Sequence, residues 1–314
     1  MAPSRPYTTE HTLTVDAPPR ALYDLVADVT RWPAVFGPCV HVQHLERGDR
    51  EERFEIWARV GESTSSWTSR RRLDPEALRV TFAQEVSRAP IATMSGEWQF
   101  LELGDGRTEL VLLHTFTAVD DDPAAVRWIT EALDANSTAE LAAIAAVASG
   151  GHAVEDVVFS FTDTLRLPGR AADAYEFVHR ADRWADALPH VARVELTETA
   201  DGVQDLRMDT VTADGSAHST RSTRICADGA WIAYKQHLMP KLLLGHSGRW
   251  TFTEDADGAL ATATHTVRLD PAAVEGVLGA GRTLADARAY VRDALGRNSL
   301  ATLSHAAAYA GARG

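Results

Sequence analysis

Tyr23-Asp-Leu-Val26, with Trp32 a short step beyond, returns later in the chain as Tyr175-Glu-Phe-Val178 with Trp184 beyond it. The separation is 152 residues (175 − 23), and the same step carries Arg31 to Arg183, Gly96 to Gly248, Trp98 to Trp250 and Phe100 to Phe252. Tryptophan, tyrosine and glycine at one shared offset mark a duplicated unit, and a fixed period is the first thing a sequence can say about architecture. In a chain of 314 residues the duplication gives two domains, 1–150 and 151–314. The junction is expected at Ser149-Gly-Gly-His152, where two glycines follow an alanine-rich run in the manner of a helix C-cap.

Each repeat reads in the same order. A Thr/Val/Phe-rich strand opens it, at Thr12–Val15 and Val157–Leu167, followed by a proline turn at Pro18-Pro19 and Pro168-Gly169. An amphipathic helix is expected over 20–29 and 170–181, with Tyr23/Val26 and Tyr175/Val178 on its apolar face. Strands separated by tight-turn signals come next, among them Gly104-Asp-Gly106, Asp201-Gly202, Asp214-Gly215 and Asp257-Gly258. A long Ala/Leu-rich helix closes each half, over 124–148 and 283–308. This order is α+β: a curved antiparallel sheet with a terminal helix laid across it. Such a layer pair can enclose an apolar cavity with a few polar groups, the usual form of a small-molecule site.

Composition removes several function classes. A formal net charge of −13 lacks the basic footprint of a nucleic-acid binder and of a polybasic membrane anchor. No run of apolar residues is long enough to span a bilayer, and Met1-Ala-Pro-Ser-Arg-Pro6 has no apolar leader core, so a cytoplasmic protein is expected. The two cysteines, Cys39 and Cys226, fall in different halves and in no metal-ligand spacing, which fits a reducing compartment. Gly276-x-x-Gly279-x-Gly281 follows no strand and reads as a loop, not a nucleotide fingerprint.

Polar residues on faces that should be apolar supply the candidate chemistry. Alternation along Glu109–Phe116 puts His114 in one row with Leu110, Leu112 and Phe116, and His265 shares a face with Ala261, Ala263, Val267 and Leu269. A buried ring satisfied by backbone and a ring presented to a ligand are both open readings. Trp67, Ser69 and Arg71 share a face, as do Ser222 and Arg224, while Arg70 and Arg72 point the other way. A guanidinium on an inward face stays charged and needs a partner or an anionic ligand; on an edge it would simply meet water.

Taken together, the two copies resemble the helix-grip fold of the START and birch-pollen-allergen (Bet v 1-like) superfamily. Within it, Arg31-Trp-Pro-Ala-Val-Phe36 and Arg183-Trp-Ala-Asp-Ala-Leu-Pro-His-Val191 resemble the element after the first helix of polyketide cyclases. Trp67-Thr-Ser-Arg-Arg71 and Ser222-Thr-Arg224 resemble the strand carrying their pocket arginine. His114-Thr115 and His265-Thr266 lie where some members place a pocket histidine. Asp134-Ala-Asn-Ser137 and Arg297-Asn-Ser299 resemble the polar stretch of the last helix. The family is the two-domain aromatase/cyclases of bacterial aromatic polyketide synthesis. Where a single-domain relative has a pocket tyrosine, this chain has Cys39, and no tyrosine stands near Val191.

The resemblance implies first-ring cyclisation, dehydration and aromatisation of a ketoreduced poly-β-ketone delivered on an acyl carrier protein, with no cofactor and no metal. It implies Arg71, His114, Arg224 and His265 as catalytic, and Trp67, Ser69, Cys39, Asn136, His190, Ser222 and Asn298 as substrate-contacting. Fixed guanidinium groups would stabilise oxyanions, and histidines would move protons near neutrality. A non-catalytic carrier of a hydrophobic small molecule, and a cyclase or dehydratase for another ketide or terpenoid, are the competing readings; one half alone could also be the working one.

Overall fold

The computed structural model describes residues 5–61, 63–199, 201–211 and 217–313. The turn expected at Asp214-Gly215 lies outside them. The chain divides into two compact units, Met1–Val154 and Glu155–Gly314.

In the first unit β1 (Tyr7–Val15) leads through Pro18 into α1 (Pro19–Ala27) and a short α2 (Trp32–Val35). The strands β2 (Cys39–Arg47), β3 (Glu51–Val60), β4 (Ser63–Asp74), β5 (Arg79–Gln84), β6 (Ile91–Gly104) and β7 (Arg107–Ala118) follow, and α3 (Pro123–Ala148) ends the unit. One seven-stranded antiparallel sheet results, in the order β1-β7-β6-β5-β4-β3-β2. The sole non-sequential neighbour is β1, which returns to pair with β7 and brings α3 across the sheet against both.

The second unit repeats the plan. After α4 (Val154–Val157) come β8 (Val158–Leu167), α5 (Ala171–His179) and α6 (Trp184–Ala187). Six further strands are β9 (Val191–Glu198), β10 (Val203–Val211), β11 (Ala217–Ala227), β12 (Trp231–Leu238), β13 (Leu243–Asp255) and β14 (Gly258–Leu269). The order β8-β14-β13-β12-β11-β10-β9 is that of the first unit. A short α7 (Val274–Leu278) precedes α8 (Leu284–Gly311), whose start is fixed by a reciprocal cap between Thr283 and Asp286. Gly279 and Gly281 both have positive φ in the turn between them, so the end of that glycine-rich segment is a loop, while Gly276 lies within α7.

Alternation along the strands decides what faces inward. On β7, Leu110, Leu112 and Phe116 are fully buried, and on β14 Ala261, Ala263, Val267 and Leu269 are. The repeated glycines have a steric cause. Gly96 on β6 sits directly opposite Phe82 on β5, and Gly248 on β13 directly opposite Tyr234 on β12. A Cβ at Gly96 would come within 2.3 Å of the Phe82 ring and 2.2 Å of the Leu113 carbonyl oxygen. A Cβ at Gly248 would come within 2.4 Å of Tyr234. Each glycine lets an aromatic ring lie flat over the neighbouring strand, where it reaches the interior.

Gly96→Ala is therefore expected to destabilise the first unit by about 1–3 kcal/mol, the cost of overpacking a tight site. Urea unfolding of the full chain reads this directly; an unchanged midpoint for the first-unit transition would contradict the packing described.

Candidate active site

The first unit encloses a cavity of about 510 Å³ between its sheet and α3. Its wall is mainly apolar, with Phe54, Ile56, Trp98, Leu112 and Ile129 among the contributors. Six residues singled out from sequence meet on this wall: Cys39, Trp67, Ser69, Arg71, His114 and Asn136. They arrive from β2, β4, β7 and α3, so only the closed sheet brings them together. Arg70 and Arg72 are exposed on the opposite face of β4.

Arg71 is 2% exposed and is almost fully engaged. Its Nε donates to Glu52 Oε1 at 2.8 Å, and Nη2 donates to the same oxygen in a short contact. Nη1 donates to the Val26 carbonyl at 2.9 Å and Nη2 to the Ala27 carbonyl at 2.7 Å. Those carbonyls belong to the last turn of α1, where helix geometry leaves oxygens unpaired and the helix dipole favours a cation. The guanidinium also lies 5.0 Å from the Trp32 ring centroid and 5.3 Å from that of Phe54. Four of its five N–H groups are thus committed, leaving one for a ligand. Burial lowers the Arg71 pKa, opposed by the charge of Glu52. Burial by itself would raise Glu52, but a 2.9 Å contact with His44 and the pairing with Arg71 outweigh it and hold the carboxyl below its ordinary value.

His114 and Glu140 differ from Arg71 in being unspent. His114 packs edge-on to Phe82, and its Nδ1 is buried without a partner among the described residues. Burial, with a smaller electrostatic contribution from His11, lowers its pKa to about 4, so the ring is neutral at pH 7. Glu140, on α3, lines the same cavity with no hydrogen bond or ion pair among the described residues. Burial with no counter-charge raises its carboxyl to about 7. It escaped the sequence reading, although its spacing from Asn136 and Ser137 places it on the inward stripe of the helix, and a lone carboxylate there was the available signal. Ser137 is buried with an unpartnered hydroxyl.

The second unit places the remaining candidates differently. Arg224 is also 2% exposed, and its Nη2 donates to the Val178 carbonyl of α5 at 2.6 Å, the counterpart of the Val26 contact. The position corresponding to Glu52 holds Gln204, directly across from Arg224 on β10. No carboxylate pairs with this guanidinium among the described residues, and its Nη1 is buried without a partner. Ser222 is buried on the same strand face. His265 sits inside a closed polar cluster: Nε2 lies 2.5 Å from Ser299 Oγ, and Nδ1 lies 3.0 Å from His246 Nε2 and 3.2 Å from the Tyr234 hydroxyl. Burial lowers His265 to about 4 and His246 to about 3. Sequence missed Tyr234, His246 and Ser299 because β12, β13 and α8 meet only in the fold. His190 is half-buried in the turn before β9. Asn298 is exposed, as Asn136 is, and the neighbouring Ser299 is the buried residue that meets His265.

The described residues contain no cluster of metal-ligating groups and no helix long and apolar enough to cross a membrane.

Comparison with known proteins agrees with this architecture. The family described as "Polyketide cyclase / dehydrase and lipid transport" matches residues 15–140. The chain is 61% identical over 302 residues to the granaticin polyketide synthase bifunctional cyclase/dehydratase of Streptomyces violaceoruber, covering 96% of this chain and 93% of that one. It is 55% identical over 320 residues to the actinorhodin polyketide synthase bifunctional cyclase/dehydratase of Streptomyces coelicolor, covering 98% and 99%. Among solved structures, the di-domain ARO/CYC BexL of the BE-7585A biosynthetic pathway superposes with a TM-score of 0.84 at 46% identity, covering 97% of this chain and 98% of that one. The di-domain ARO/CYC StfQ of the steffimycin pathway gives 0.83 at 37% identity, covering 97% and 99%.

The contrast between the two arginines is measurable. Arg71→Met strands Glu52 in the interior and is expected to cost about 3–5 kcal/mol, the range for breaking a buried ion pair. Arg224→Met removes a guanidinium that no carboxylate balances, and is expected to cost less than about 1.5 kcal/mol, as apolar replacement of buried charge often does. Equal losses in chemical denaturation would contradict the asymmetry.

Proposed function

The chain belongs to the two-domain polyketide cyclase/dehydratases, the aromatase/cyclases, and on that premise we propose that its first-unit cavity folds a ketoreduced poly-β-ketone, borne on an acyl carrier protein, and converts it to a first-ring aromatic. The observation that carries this reading is the presence, on one largely apolar wall, of a neutral imidazole and a carboxyl that burial keeps about half protonated at pH 7, neither with a hydrogen-bond partner among the described residues.

The chemistry asks for two proton transfers in each of two steps. In aldol closure a base removes a proton from a methylene flanked by carbonyls, the resulting enolate carbon bonds to a distant carbonyl carbon, and that oxygen takes up a proton. In dehydration a second C–H proton goes to a base while the hydroxyl leaves with a proton from an acid, releasing one water per double bond formed. His114, neutral at pH 7, is the base, and Glu140, about half protonated there, is the acid. The apolar wall excludes water and restricts the chain to few folded forms, which is where misdirected cyclisation of a reactive poly-ketone is suppressed.

Arg71 is a positioning residue in this scheme, fixing α1 and β4 around the cavity and offering one N–H to an oxyanion. Trp67, Ser69, Cys39 and Asn136 contact the folded chain. In the second unit Arg224, Ser222, His265 and His190 are assigned to holding that domain's interior, because the His265 cluster is closed on itself. A carrier role alone would leave the inward carboxyl and imidazole without a purpose.

Reconstitution with a minimal polyketide synthase, its ketoreductase and its carrier protein tests the reading. A single dehydrated, first-ring-aromatic product in place of spontaneous shunts is expected, and an unchanged shunt profile with folded protein would overturn it. The rate should fall as pH rises through about 7, where Glu140 ionises, and again below about 4, where His114 protonates. Glu140→Gln should lower the rate about 10²-fold and remove the upper limb, and His114→Ala should lower it by a similar factor. Full activity in both variants would rule out the assignment.

A further inference from the structure

The cavity has a mouth whose charge runs against that of the protein. β3 and β7 end, and β4, β6 and α3 begin, at one end of the first-unit sheet. At that end the cavity wall includes Arg59 on β3 and Arg88 in the β5–β6 connection. Neither arginine makes a side-chain hydrogen bond or ion pair among the described residues, and neither stacks on a ring. Beside them on the same wall stand two exposed apolar residues, Val60 at 51% and Trp128 at 50%. The chain as a whole carries −13, and many other surface arginines, such as Arg53, Arg70 and Arg221, are already paired with carboxylates. What sets Arg59 and Arg88 apart is their place, without partners among the described residues, on the apolar rim of the cavity.

A ligand complementary to this mouth has an apolar body that enters the cavity and a phosphate that stays at its rim. We propose that Arg59 and Arg88 bind the phosphodiester of a phosphopantetheine arm, so that the thioester end of the arm reaches past the rim while the acyl chain fills the cavity. The proposal rests on the reading of the cavity as the site for a carrier-borne chain, and it adds the two residues that recognise how the chain is carried. Guanidinium groups suit this task because each can give two N–H donors to phosphate oxygens. Their charge would also steer an acidic partner to this opening of an acidic protein.

The test uses the full chain and two stable probes, a naphthyl thioether of pantetheine and the same thioether of 4′-phosphopantetheine. Binding is followed through quenching of the tryptophans on the cavity wall. The unsubstituted protein is expected to bind the phosphorylated probe about tenfold more tightly, the combined worth of two partly exposed charged contacts. That preference should shrink as salt is raised. In the Arg59→Gln/Arg88→Gln variant the preference should vanish while affinity for the unphosphorylated probe stays unchanged. Equal binding of both probes by the unsubstituted protein, or a preference that survives the double substitution, would overturn the proposal while leaving the cavity reading in place. Failure of the unsubstituted protein to bind either probe would overturn both.

Discussion

Both halves of the chain seat a buried guanidinium against the end of a helix. Arg71 reaches from β4 to the carbonyls of Val26 and Ala27, and Arg224 reaches from β11 to that of Val178. Some of the residues that reveal the duplication build this contact and others pack nearby. Val26 and Val178 supply the carbonyls; Trp32 and Trp184 face the cations; Tyr23 packs edge-on to Phe100 as Tyr175 does to Phe252. The Trp32 indole N–H also donates to the Val26 oxygen, at 3.1 Å. A cation is placed where the helix dipole and an electron-rich ring both favour it, and the first helix is thereby fixed to the strand that forms one wall of the cavity.

The two units then diverge in electrostatics. Glu52 balances Arg71, and His44 holds Glu52 in turn, so the first guanidinium belongs to a satisfied network. With that charge neutralised locally, the cavity above it can hold an uncompensated carboxyl and imidazole whose pKa values are set by burial. In the second unit Gln204 replaces the acid, and the histidine that corresponds to His114 is drawn into contact with Ser299, His246 and Tyr234. One scaffold thus gives an interior with an unspent imidazole and carboxyl and another whose corresponding histidine is held by polar neighbours, the difference resting on a few side chains.

Much of the fold was legible in the sequence because periodicity and duplication are local signals. Strand alternation placed His114, Arg71, His265 and Arg224 on inward faces, and the structure keeps them there. What the sequence withheld depends on distant elements meeting. Glu52 gave no sign of being buried, since its role comes from its cross-strand neighbour Arg71. Tyr234 and His246 become polar partners of His265 only through the pairing of β12, β13 and β14. On α8 the contact of Ser299 with His265 is hidden in the sequence, because that helix has polar residues scattered around its circumference and no sharp apolar stripe to fix the rotation. Glu140 was overlooked for the opposite reason: a single acid among many looks ordinary until the helix is seen to lie over a cavity.

The acid role rests on Glu140 keeping its proton up to about neutral pH inside a cavity whose described residues offer it no counter-charge. Carboxyl 13C chemical shifts, with the Glu140 signal assigned by its loss in Glu140→Gln, measure this without reference to any substrate. A midpoint at about 7 is predicted. A midpoint near the ordinary glutamate value of about 4.3 would mean a solvated or paired carboxylate, and would contradict the acid–base assignment at its base.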